Sequence, residues 1–144
     1  MKNARILLVE DNPTDVLLTR RAFSDMDMDV DMIVASDGEI AMKILKKEEE
    51  YAETVLPQLV LLDINLPRKN GKEVLREIKS CEGLKHMPVM MLTTSDADRD
   101  VQEAYQAHCN SYTVKPASAK QFREFVRVIE AFWFEISKLP RNLH

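Results

Sequence analysis

The sequence predicts an α/β domain built on five parallel strands with helices on both faces. Five short apolar runs recur along the chain, and each is followed by a segment with helical periodicity. The runs are apolar on both faces, as strands buried in a parallel sheet must be. In such sheets ligands bind beyond the carboxyl ends of the strands, and residues able to do chemistry stand just after four of the five runs.

The first run, Ile6-Leu7-Leu8-Val9, ends in Glu10-Asp11. Asn12-Pro13 then opens a helix, since proline suits a first helical turn, and Val16, Leu17 and Phe23 give it an apolar face. The second run is Met32-Ile33-Val34-Ala35, followed by helical spacing at Ile40, Ile44 and Leu45. The third, Leu59-Val60-Leu61-Leu62, ends in Asp63 and leads to a helix carrying Val74, Leu75 and Ile78. The fourth, Val89-Met90-Met91-Leu92, ends in Thr93-Thr94. Its helix is expected to begin near Ser95 or Asp96, both capping residues, and to carry Val101, Ala104 and Tyr105. The fifth, Tyr112-Thr113-Val114, ends in Lys115-Pro116.

From about Ser118 to Lys138 the pattern predicts one last helix, ~30 Å long if wholly helical. On a regular helical wheel Phe122, Val126, Ile129, Trp133 and Ile136 form one stripe, with Phe125, Val128, Phe132 and Leu139 beside it. Together they cover ~160° of the surface, more than the ~100° a helix needs to dock on a core. The second stripe predicts a protein interface, most simply a symmetric homodimer through this helix.

A chain of 144 residues suits one domain and can bury a core without staples. Hydrophobic residues at 45% and charged residues at 31% match an ordinary folded protein, and only 3 glycines argue against low complexity. The net charge of -4 and the lack of a basic stripe argue against nucleic acid as a partner. Cys81 and Cys109 lack CxxC spacing and read as reduced thiols. No signal peptide or membrane span is evident, so the expected location is cytoplasmic.

If the fold is right, Glu10, Asp11 and Asp63 converge at one edge of the sheet. Carboxylates so placed repel by ~4 kcal/mol per close pair at an intermediate dielectric, and a cation or a proton must relieve them. An all-oxygen donor set selects a hard ion, and Mg²⁺ fits, since it uses one or two carboxylates, waters and a phosphate oxygen. Lys115 supplies a positive charge opposite. A carboxylate can itself attack phosphorus, and phosphoryl transfer asks mainly for positioning and charge neutralisation. Asp63 as acceptor, Mg²⁺ and Lys115 as neutralisers and Thr93 as hydroxyl donor meet those needs. Singly, each has a plain structural reading as a turn, cap or strand-end residue. The coincidence at four strand ends carries the chemical one.

These residues resemble those of the bacterial response-regulator receiver domains. The resemblance runs from Ile6 to about Ile136 and rests on the spacings from Asp63 to Gly71, Thr93 and Lys115, with Pro67 in the loop after Asp63. It implies a flavodoxin-like (CheY-like) fold, a five-stranded parallel sheet in the order 2-1-3-4-5, forming a single receiver domain over residues 1–144 without an output domain. It further implies that Asp63 is the phosphoacceptor, that Glu10 and Asp11 are the acidic metal pair, and that Asn65 lends its backbone carbonyl to Mg²⁺, or to Mn²⁺ in its place. By the same resemblance Thr93 and Lys115 bond the phosphoryl group, and Tyr112 is an aromatic switch that turns inward as Thr93 moves. Such a protein is not an enzyme. It is a switch that takes phosphate from a sensor histidine kinase and assists its own phosphorylation and dephosphorylation. Two departures from the chemotaxis receiver, the longer segment near Lys47–Pro57 and the aromatic last helix, are similar to the small response regulators that partner bacterial phytochromes, especially cyanobacterial ones. Two other readings are weaker. A hydrolase with an aspartate nucleophile needs a second acid two residues on, where this chain has Asn65. A pseudo-receiver would not keep Glu10, Asp11, Asp63, Thr93 and Lys115 together.

Overall fold

The computed structural model describes residues 3–140. Five parallel strands lie in the order β2-β1-β3-β4-β5. They are β1 (Asn3–Val9), β2 (Asp29–Ala35), β3 (Leu59–Leu62), β4 (Val89–Thr93) and β5 (Ser111–Val114). The helices between and after them are α1 (Pro13–Ser24), α2 (Gly38–Leu45), α3 (Gly71–Ser80), α4 (Asp98–Gln106) and α5 (Ala119–Ile129). The long connection after α2 holds a single 3-10 turn, Glu49–Tyr51.

Alternation along the strands builds two cores. Leu7, Val9, Val60, Leu62 and Met91 point to one face, where they meet Ile44 of α2, Leu75 and Ile78 of α3 and Ala104 of α4. Ile6, Leu8, Leu59, Leu61 and Met90 point to the other, against Phe23 of α1 and Phe122, Val126 and Ile129 of α5. Every residue of β3 and β4 is buried, whereas the edge strand β2 alternates exposed and half-buried positions over its first residues. That difference explains why the outer part of β2, Asp29-Val30-Asp31, is less apolar than the inner strands. Each buried Leu or Ile contributes ~1.5–3 kcal/mol, so these two layers are what holds the sheet edge in place.

Most helices start on a side-chain cap. Asn12 accepts from the Thr14 and Asp15 amides, Asp37 from Ile40, Asn70 from Glu73 in a reciprocal box, and Ser118 from Gln121. The α4 helix differs from the sequence expectation. It begins at Asp98 with no side-chain cap, rather than near Ser95 or Asp96. The Ser95 hydroxyl is engaged elsewhere: it donates to Asp100 Oδ2 at 2.5 Å and accepts from the Ala97 amide at 3.3 Å, which holds the loop outside the helix.

The last helix also departs from a regular wheel. After Ile129 the backbone changes to a π-helical segment, Glu130–Ile136, closed by a bond from the Ser137 amide to the Phe132 carbonyl. An i→i+5 ladder takes more than 3.6 residues per turn, so each residue rotates less about the axis than a regular wheel expects. Phe134 is therefore buried, Trp133 is half-buried, and Ile136, placed on the inward stripe by the wheel, is 78% exposed. Leu139, placed on the outward stripe, packs against the α1–α5 core instead. Val128 and Phe132 remain exposed on the outward side. Among the described residues no helix is long and apolar enough to cross a membrane.

Candidate functional site

The strand ends deliver the candidate residues because the hydrogen-bond ladder runs one residue past each strand. The Glu10 amide donates to the Ala35 carbonyl at 2.9 Å, the Asp63 amide to Val9 at 3.1 Å, and the Lys115 amide to Thr93 at 2.7 Å. Glu10, Asp63 and Lys115 are thus fixed by backbone rungs rather than by loops, which gives their side chains a rigid base. Glu10, Asp63 and Thr93 are buried, while Asp11 is exposed beside them.

The loop after Asp63 is shaped by a close approach. A Cβ on Gly71 would lie 2.0 Å from the Asp63 carbonyl oxygen and 2.7 Å from the Ile64 Cα, so only glycine fits. The Gly71 amide donates to the Ile64 carbonyl at 2.9 Å, which closes the loop and starts α3 against the site. Asn65 donates its amide to Asp63 Oδ1 at 3.2 Å.

Glu10, Asp11 and Asp63 each offer a carboxylate oxygen, and these oxygens lie within 4.8 Å of one another. Lys115 sits against the cluster. Its Nζ is 2.5 Å from Glu10 Oε1, 2.8 Å from Asp63 Oδ2 and 2.8 Å from Asp15 Oδ2. Burial opposes the lysine charge, but hydrogen bonds to Asp15, Asp63 and Glu10 outweigh it and hold the ammonium well above the usual lysine range. Burial pushes the Glu10 carboxyl up to about 7, and the Asp63 charge adds to that while Lys115 opposes it. One ammonium cannot satisfy all these acids, so the cluster retains an excess of negative charge and an oxygen donor set. Both properties fit a hard divalent cation such as Mg²⁺.

Asp15 is not among the residues that the strand-end pattern singles out. It lies 100 residues from Lys115, in the first turn of α1, where an acid reads as ordinary complement to the helix dipole. The sequence gives no signal that would have paired the two.

Thr93 ends β4 with its hydroxyl accepting from the Ser95 amide in a long bond of 3.5 Å. Tyr112 is half-buried and packs on the α2–α3 core, and its hydroxyl donates to the Ser95 carbonyl at 2.9 Å. Burial, above all, raises the Tyr112 phenol, so it stays a donor at neutral pH. Tyr112 is therefore tied to the β4–α4 loop rather than to the carboxylates. The same loop is tied to α3: Lys72 Nζ is 2.5 Å from Asp100 Oδ1 and 2.5 Å from Glu103 Oε2, and Asp100 also accepts from Ser95. This network joins the segment after Thr93, Tyr112 and two helices in one set of hydrogen bonds.

The chain is similar to known proteins in both sequence and fold. A family model for the response regulator receiver domain matches residues 6–127. The chain is 42% identical over 135 residues to the response regulator Rcp1 of Synechocystis sp., covering 94% of this chain and 92% of that one. It is similar to the crystal structure of the phosphorylated cyanobacterial phytochrome response regulator RcpA, with a TM-score of 0.93 at 41% identity over 97% of this chain and 100% of that chain. The Mn²⁺-bound form of Rcp1 superposes with a TM-score of 0.89 at 41% identity, over 96% of this chain and 99% of that one.

Proposed function

The chain belongs to the response regulator receiver family, and from that premise we propose that Asp63 accepts a phosphoryl group from a sensor histidine kinase and thereby switches protein contacts. The observation that carries the assignment is the pairing of a buried Asp63 with Lys115 at 2.8 Å beside Glu10 and Asp11. An Asp63 carboxylate oxygen attacks phosphorus, the O–P bond forms as the N–P bond to the kinase imidazole breaks, and the imidazole leaves with the electron pair. Glu10, Asp11, Asp63 and the backbone carbonyl of Asn65 would hold Mg²⁺, or Mn²⁺ in its place. When bound, the ion supplies charge neutralisation for the transferring group. Lys115 neutralises a phosphoryl oxygen from the other side, and the Thr93 hydroxyl donates to another.

The phosphoryl group adds roughly -1.5 to -2 charges and three acceptor oxygens, which draws Thr93 toward it. Because the Ser95 amide rests on Thr93 and the Ser95 carbonyl holds Tyr112, movement of Thr93 reaches Tyr112 through one residue. Tyr112 is the switch residue, and α4, β5 and the last helix are the surface it remodels. The protein is not an enzyme with a separate substrate, since Asn65 stands where a hydrolase needs an acid. It acts in the cytoplasm as one receiver domain, without nucleic acid as a direct partner. Its kinase is of the phytochrome type, a reading supported by the likeness to RcpA. It forms a homodimer through the last helix, where Val128 is 65% and Phe132 50% exposed beside Phe125, which is half-buried against the core. Sedimentation of the wild type and Phe132→Glu checks the dimer; a wild type that stays monomeric at tens of micromolar removes it.

Intact mass after incubation with acetyl phosphate and Mg²⁺ tests the main assignment. The wild type should gain one phosphoryl mass and Asp63→Asn none. Equal labelling of both proteins would reject it.

A further inference from the structure

We propose that Asp15 is a positioning residue for Lys115, holding the ammonium on the α1 side so that Glu10 and Asp63 stay available to a divalent cation. The inference rests on the reading that Glu10, Asp11 and Asp63 are the cation ligands. Of the three carboxylates that Lys115 touches, two belong to that set and Asp15 does not. A cation that takes Glu10 and Asp63 therefore removes two of the three anchors of a 7% exposed ammonium. Asp15 is the anchor that remains. A buried ammonium left without a carboxylate is costly, and a lysine without Asp15 would stay pressed on Glu10 and Asp63 as a competitor of the ion.

The fold prepares Asp15 for this role independently of its side chain. Its amide donates to the Asn12 cap at 3.2 Å and its carbonyl accepts from the Thr19 hydroxyl at 2.7 Å. Both bonds survive replacement of the carboxylate by an amide, so Asp15→Asn keeps the helix start. Two effects of that variant have the same sign. It removes a negative charge near the cation, and it returns Lys115 to the ligands. The first is a charge effect that any nearby acid exerts. The second requires Lys115 and is specific to a positioning role.

A double-variant cycle read by calorimetric titration of Mg²⁺, with no phosphoryl donor present, separates the two. Asp15→Asn should weaken Mg²⁺ binding by roughly tenfold, and Lys115→Met alone should strengthen it. In the Lys115→Met background, Asp15→Asn should cost no more than about threefold. Asp15→Glu should recover most of the affinity, because the longer carboxylate still reaches the ammonium. Equal losses from Asp15→Asn in the two backgrounds, or no loss in either, would overturn the proposal. Failure of the cation reading itself looks different: the wild type would then bind no Mg²⁺ at millimolar concentration.

Discussion

Replacing Gly71 by alanine tests how the fold positions the phosphoacceptor. The new Cβ would stand 2.0 Å from the Asp63 carbonyl oxygen and 2.7 Å from the Ile64 Cα. Ordinary carbon–oxygen contact needs about 3.3 Å, so the backbone must open by roughly 1.3 Å. The obstructing atoms are main chain, so no flexible side chain can yield. Overpacking of this kind costs about 1–3 kcal/mol, and here the upper end applies because Asp63 is itself tied to β1 by its amide. A domain with ~5–15 kcal/mol of stability still folds. The functional effect should be larger than the stability effect, since a displacement of about 1 Å at a reacting group can cost ~10²-fold in rate. Urea unfolding gives the first quantity, and the rate of labelling by acetyl phosphate, followed by intact mass, gives the second. An alanine variant with wild-type stability and wild-type labelling rate would show that the loop geometry around Asp63 is not what the close approach implies.

The π-helical segment predicts that Phe134→Ala, which removes a side chain only 8% exposed, costs about 3–5 kcal/mol in urea unfolding, and that Ile136→Ala costs under about 0.5 kcal/mol; equal losses would restore a regular helix. Glu10 titrates near 7 in the metal-free fold because of its burial, against 4.5 ordinarily, so it binds a proton more tightly folded than unfolded. Its contribution to stability is complete below about pH 4.5 and falls by on the order of 3 kcal/mol as pH rises to about 7, so in EDTA the wild type should lose stability relative to Glu10→Gln between pH 5 and 7.5. A constant difference between the two proteins across that range would contradict this. Lys72→Met should cost about 1–2 kcal/mol and speed amide exchange in α4, because Asp100 and Glu103 lose a shared partner that is only 16% exposed; unchanged exchange would mean that the network does not hold α4.

The strands were legible because a buried parallel sheet leaves continuous apolar runs, and the residues after those runs have nowhere to go but the sheet edge. Glu10, Asp63 and Lys115 are found from sequence for that reason: their positions depend on strand ends alone. Asp15 is different. Its pairing with Lys115 depends on how α1 is tilted over the sheet and on the reach of a long side chain, neither of which a local pattern encodes. The start of α4 departs from the sequence pattern because Ser95, a good cap by type, spends its hydroxyl on Asp100 and Ala97. A wheel assumes one period, so it does not hold beyond Ile129, where the backbone changes to an i→i+5 ladder. Phe134, not Trp133 or Ile136, is the buried residue there.

The account stands on Asp63 as the phosphoacceptor. An aspartyl phosphate is an acyl phosphate, so borohydride reduces it to homoserine while leaving phosphate esters intact. The protein should be treated with acetyl phosphate and Mg²⁺, reduced, digested and sequenced by mass spectrometry. The account predicts homoserine at position 63 and at no other aspartate, and none when Mg²⁺ is replaced by EDTA. Homoserine at Asp11 or Asp15 instead, or an unmodified Asp63 in protein that has gained phosphoryl mass, would contradict it.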